Sequence, residues 1–204
     1  MPRISSRVRG GLVAAWVLGA AAGRPPAAGG EEREPTPEEI GAIQIYATAD
    51  ESIREVFDGV ARVDTVVVVL DDSTRAAVAA LCPSPVPSDT VAVLVPRGAA
   101  SESLGYAMIV EEAGKYRPIT FLVGLDPDLD VRGVEVLVYR ESRGGEVRRT
   151  RFLRQYRGKD VESPIRINRD ILNVAGATIS VNAMNHGVKR VLATVHVLTR
   201  RGRL

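Results

Sequence analysis

One cysteine and two histidines are all that 204 residues offer for thiol and imidazole chemistry. The lone thiol, Cys82, excludes an intramolecular disulfide, and its place beside Pro83 in "LCPSPVPSD" reads as a small buried residue. The histidines, His186 and His196, stand ten residues apart, which on a helix separates them by roughly 80° around the axis. They cannot form the i, i+4 pair of a helical zinc site. Too few candidates remain for a Ser-His-Asp or Cys-His catalytic set. A calcium loop is missing too: "DPDLD" spaces Asp126, Asp128 and Asp130 suitably, but the sixth position is Val131 instead of Gly and the twelfth is Leu137 instead of Glu. The stretch reads as a hairpin turn. An enzyme acting on a diffusible substrate finds no acid–base constellation here.

A basic surplus is also lacking once the first residues are set aside. The chain opens with Arg3, Arg7 and Arg9, then "GGLVAAWVLGAAA", then "GRPPAAGG", the three parts of a secretory signal. The apolar run stops at Ala22, short of the roughly 20 residues a spanning helix needs. Small residues suit cleavage at Ala20–Ala22 or at Pro26–Ala28. The expectation is a signal over 1–28 and an extracytoplasmic domain, periplasmic or secreted, which a retained N-terminal segment would associate with a membrane. Removing 1–28 takes four arginines and no acid from 27 basic and 25 acidic residues, leaving 23 against 25. A nucleic-acid partner therefore has no electrostatic support. The basic tail with Arg200, Arg201 and Arg203 reads as a solvated helix end that complements the dipole.

What is present is a clear alternation of elements. Residues 29–39 form an acidic linker that runs into a helix start, with Thr36 as N-cap, Pro37 at the first helical position, and Glu38 and Glu39 in the first turn. Residues 40–112 make the N-terminal part of the domain. Within it Ile53, Val56, Phe57 and Val60 recur at helical spacing, and "RVDTVVVVL" and "DTVAVLV" read as buried strands separated by the helix "STRAAVAAL". "LGYAMIVEE", "YRPITFLVGL" and "VRGVEVLVYRE" follow as three strands whose short connections require antiparallel pairing. Residues 113–200 make the domain core. "VRRTRFLRQYRG" reads as helical, and a long last helix presents Val181, Met184, Val188, Val191, Leu192, Val195 and Leu198 on one stripe with Asn185, Lys189 and Thr199 on the other. The predicted fold is α+β, an antiparallel sheet covered by helices with a long C-terminal helix.

The stretch "NVAGATIS" lies directly before that helix, with Ser180 as its expected N-cap. A helix start stabilises anions. Gly176, flanked by Ala175 and Ala177, lets a phosphate-bearing ligand approach the backbone, and Thr178 supplies a hydroxyl there. From the residues alone, a glycine loop with a serine cap is the simpler reading.

"GATIS", downstream of "GYAMIVEEAGKYRPITFLVGLD", "VRGVEVLVYRES" and "FLRQYRGK", resembles the FMN-binding domain family, which includes the flavin-carrying subunits of the sodium-pumping NADH:quinone oxidoreductase and of the Rnf electron-transport complex. The resemblance runs well from Gly105 to Leu198 and more loosely from Ile40 to Ala100. It implies an Asp-x-x-Ser/Thr-Gly-Ala-Thr motif whose last Thr, here Thr178, carries FMN as a phosphoester installed by a flavin transferase that uses FAD. Gly176, Ala177 and Ser180 would lie at the cofactor. Glu141 and Ser142 match the Glu-Thr of a segment that lies beside the flavin in many members, although the Pro of that segment is absent. Leu172 stands where the motif has Asp, and Ala175 where it has Ser or Thr. The implied role is an electron-carrier subunit of a membrane electron-transport complex. A flavin-free or non-covalently binding structural or interaction module of the same fold is the alternative that Leu172 and Ala175 support.

Overall fold

The computed structural model describes residues 36–40, 42–84 and 86–204. The signal expected over residues 1–28 lies outside them. Six strands form one antiparallel sheet: β1 (Gln44–Ile45), β2 (Arg62–Val69), β3 (Thr90–Arg97), β4 (Tyr106–Ala113), β5 (Pro118–Leu125) and β6 (Val131–Tyr139), in the spatial order β1-β6-β5-β4-β3-β2. The sheet joins both stretches of the chain, because β1 closes on β6 through Gln44–Tyr139 and Ile45–Val138. The helices are α1 (Pro37–Ile40), α2 (Ala49–Val56), α3 (Asp72–Leu81), α4 (Thr150–Leu153) and α5 (Thr178–Arg200).

Side chains alternate across each strand, so β5 sends Ile119, Phe121, Val123 and Leu125 to one face and Leu122 to the other. The first face packs against α5 through Val181, Met184, Val188, Val191, Leu192, Val195 and Leu198, all buried as their spacing predicts. The second is covered by α2, which Thr48 and Glu51 start with a reciprocal capping box and which buries Ile53, Val56 and Phe57. At its far end α5 meets α3, where Val78 and Cys82 pack on Ala193 and Val197.

The close crossing of α5 over the sheet depends on Gly187. A Cβ there would lie 2.3 Å from Cζ of Phe121, a fully buried ring, and 2.9 Å from Cγ of Glu112. Gly187→Val should therefore lower stability by about 1–3 kcal/mol through overpacking, read as a fall in the urea midpoint with an unchanged m-value.

Five sequence expectations change in the structure. β2 is an edge strand, since no strand follows it in the sheet, and one of its faces leaves Val67 and Val69 exposed. The segment after β6 is a succession of short helical turns, with Arg149 in an extended conformation between the first 3-10 turn and α4. Helix α5 begins at Thr178 with Ala177 as N-cap, so Ser180 sits inside the first turn. The polar side of α5 is not wholly solvated: Asn185 is buried and accepts from the Tyr156 hydroxyl (2.7 Å), and Lys189 donates to the carbonyls of Val161 and Ser163. The basic tail is also engaged. Arg201 donates to Ser73 and Thr74 and, with Arg203, approaches Asp71, fastening the end of α5 to the start of α3.

Candidate functional site

The start of α5 is built by tertiary contacts rather than by a local cap. Ser180 is buried, and its Oγ lies 2.9 Å from the Tyr139 hydroxyl at the end of β6. Tyr139 gives its only proton to the carbonyl of Arg143 at 2.5 Å, so Ser180 is the donor in the second bond. Burial is the main cause that pushes the Tyr139 hydroxyl up to about 12, and it remains a neutral donor at physiological pH. Gly144, in the left-handed region at φ 85, completes the junction. A Cβ there would fall 2.6 Å from both Ser180 Oγ and Tyr139 Oη.

This junction holds two loops against each other. One carries Ser142 to Arg149 and the other Ala175 and Gly176. Between them, with Gln44 and Tyr46, lies a cleft of about 420 Å³ whose charged lining is Arg143, Arg148, Arg149 and one acid, Glu146. The Arg148 guanidinium stands 4.6 Å from the centre of the Tyr46 ring, a cation–π position that holds it in place. A smaller hollow of about 280 Å³ continues past Ser142 and Arg143 to Lys115, Tyr116 and Glu141.

Across the cleft, Gly176 takes φ 78 with open space where a side chain would be. Thr178, the first residue of α5, is exposed, and Asn173 Nδ2 donates to its Oγ1 at 2.9 Å. The Asn173 Oδ1 accepts from the Val174 amide at 2.9 Å, so the carboxamide is fixed and the Thr178 proton is left for an outside acceptor. No side chain caps the helix, and its first amides lack intrahelical acceptors. On either side of Thr178 along the chain, Leu172 is 74% and Ile179 48% exposed.

The structure brings Gly176, Ala177 and Thr178 together as the sequence suggests, with Ala177 buried behind them. Ser180 joins them as a buried strut instead of a cap. Ser142 lines both hollows. Glu141 lines only the smaller one, and its Oε1 accepts from the amides of Tyr116 (2.6 Å) and Arg117 (3.1 Å), which clamps the β4–β5 turn. Asp170 organises the preceding loop, accepting from Lys159 Nζ (2.9 Å) and from the amides of Ile165 and Arg166. Burial pushes its carboxyl up, but Lys159 and the two amides outweigh this and hold it below the usual carboxylate range. Sequence reasoning missed the arginine lining. Arg148 and Arg149 are far along the chain from Ala175 and Gly176, and only the Tyr139–Ser180 junction makes them neighbours.

Gly176 leaves room at the backbone, and arginines line the cleft that it borders. Residues 114–193 match a family model described as FMN-binding domain, a span that holds every residue of the cleft loops. No curated protein matches the chain. Among solved structures the chain is similar to the crystal structure of Shewanella oneidensis NqrC, with 13% sequence identity and a TM-score of 0.48 over 76% of this chain and 89% of that chain.

Proposed function

We propose, from the match of residues 114–193 to the FMN-binding domain family, that this chain is an FMN-carrying electron-transfer domain with the flavin esterified to Thr178. It works outside the cytoplasm beside a membrane redox complex. The observation that carries the reading is the exposed Thr178 hydroxyl at an uncapped helix start, oriented by Asn173 and two residues after Gly176 of the arginine-lined cleft.

Bound FMN supplies reversible electron storage. The chain's own residues position and hold. Thr178 provides the tether: a bond forms between Oγ1 and the flavin phosphate, the hydroxyl proton leaves, and a dinucleotide donor such as FAD releases its other half as AMP. A flavin transferase is the implied partner for that step. Thr178 would hold the ester phosphate at the first turn of α5, where the helix dipole favours negative charge. Gly176 and Ala177 keep the approach clear, Leu172 and Ile179 flank it, and Ser142 and Glu141 stand along the adjoining hollow. Ser180 keeps the two loops in register through Tyr139.

Asn173 is one residue beyond the position where the family motif has Asp and Leu172 stands here, and its amide does the local positioning. Asn173→Ala should slow flavin attachment by about tenfold, the value of roughly one hydrogen bond to a reacting group, while the melting temperature stays within a degree or two. The check is a time course of flavin fluorescence retained on a denaturing gel after co-expression with a flavin transferase. A wild-type band without fluorescence would reject the tether itself. Undiminished rates in Asn173→Ala would reject the positioning role alone.

A further inference from the structure

We propose that the arginine-lined cleft is a binding site for an unesterified phosphate group, through which this chain holds a phosphomonoester with no bond to Thr178. Naming FMN as that ligand rests on the function proposed above, whereas the phosphate site rests on the cleft.

The argument is one of charge. Among the described residues the lining carries three arginines, Arg143, Arg148 and Arg149, against one acid, Glu146, a surplus of two positive charges. A phosphomonoester brings about −2 at neutral pH and matches it, whereas a phosphodiester to Thr178 brings a single negative charge. Several other arginines are paired with acids. Arg62, Arg75, Arg97, Arg132, Arg140 and Arg190 each lie within 4 Å of a carboxylate. Among the described residues, the side chains of Arg143, Arg148 and Arg149 make no such pair. Three arginines without an ion-pair partner line one hollow, one of them braced on Tyr46, and guanidiniums are the flat, forked donors that phosphate oxygens accept from. Gly144, Gly145 and Gly176 in the wall let a phosphate reach the backbone.

Calorimetric titration of the full unmodified chain and of Thr178→Ala with FMN, riboflavin, AMP and inorganic phosphate tests this. The expected result is equal FMN affinity in both proteins and riboflavin about a hundredfold weaker, as two charge-assisted contacts of about tenfold each would give. Arg148→Ala/Arg149→Ala should bring FMN down to the riboflavin level. Should that variant fold poorly by circular dichroism, Arg148→Lys/Arg149→Lys replaces it and should bind FMN between the two levels. Because arginines stay charged, FMN affinity should rise from about pH 5 to about pH 7 as the phosphate loses its second proton near pH 6. AMP binding as tightly as FMN assigns the cleft to the phosphate alone, and FMN binding tighter assigns it to a flavin nucleotide. Riboflavin matching FMN, undiminished FMN binding in both arginine variants, or an affinity flat across that pH range overturns the inference. Absence of a covalent adduct leaves it standing, because Thr178→Ala cannot form one.

Discussion

Thr178→Ala should abolish covalent flavin and leave the fold intact. The side chain is exposed at the first position of α5, and its hydrogen bond comes from Asn173, a surface amide. Its removal should change stability by no more than about 0.5 kcal/mol. Attachment, in contrast, should fall from complete to undetectable, since the next hydroxyl along the helix is not exposed to replace it. Ser180, two residues on, is buried 2.9 Å from the Tyr139 hydroxyl. The variants separate accordingly. Thr178→Ser keeps an acceptor oxygen and should retain flavin. Ser180→Ala should keep the flavin too, and lose about 1 kcal/mol of stability with its buried hydrogen bond. Flavin absorbance per chain after denaturation, set beside urea midpoints, reads both quantities.

The second large effect lies in the core, where Glu112 of β4 meets Arg190 of α5. Their closest contacts are 2.7 Å for Nη1–Oε1 and 3.1 Å for Nη2–Oε2, and the side chains are 8% and 11% exposed. Glu112→Ala leaves a guanidinium buried without a partner, which should lower stability by about 3–5 kcal/mol. Burial pushes the Glu112 carboxyl up to about 7, a larger influence than the pull of Arg190 downward. The folded chain thus binds this proton more tightly than the unfolded chain. Its contribution is full below about pH 4.5, the ordinary value, and declines as pH rises through about 7. Glu112→Gln cannot ionise, so its stability should lack that decline when denaturation midpoints are compared from pH 4 to pH 8. Equal slopes in the two proteins would remove Glu112 as the cause.

The residues differ in how much of this they made legible. β4, β5 and β6 could be read because their connections are too short for anything but antiparallel neighbours, and α5 because seven apolar residues keep a spacing of three and four. The valine run of β2 gave no warning that it ends the sheet. A strand's composition records its own faces, whereas its rank in the sheet depends on which other strands find it. Ser180 looked like a cap because the local pattern fits one, yet its partner is Tyr139, 41 residues earlier. Asn185 and Lys189 looked solvated because their helix face is polar, but Tyr156 and the carbonyls of Val161 and Ser163 cover that face. Gly176 and Thr178 were visible because a short motif carries them. The arginine cleft was not, since the loop that carries Arg143, Arg148 and Arg149 meets Ala175 and Gly176 only in the fold.

The central claim is a phosphoester at one threonine, and the most direct measurement is the mass of the tryptic peptide that spans residues 170–189, released by cleavage after Arg169 and Lys189, from protein co-expressed with a flavin transferase. The account predicts that this peptide is heavier by one FMN less one water, with fragmentation placing the addition on Thr178. A peptide of unmodified mass, or an addition borne by Ser180, would contradict it.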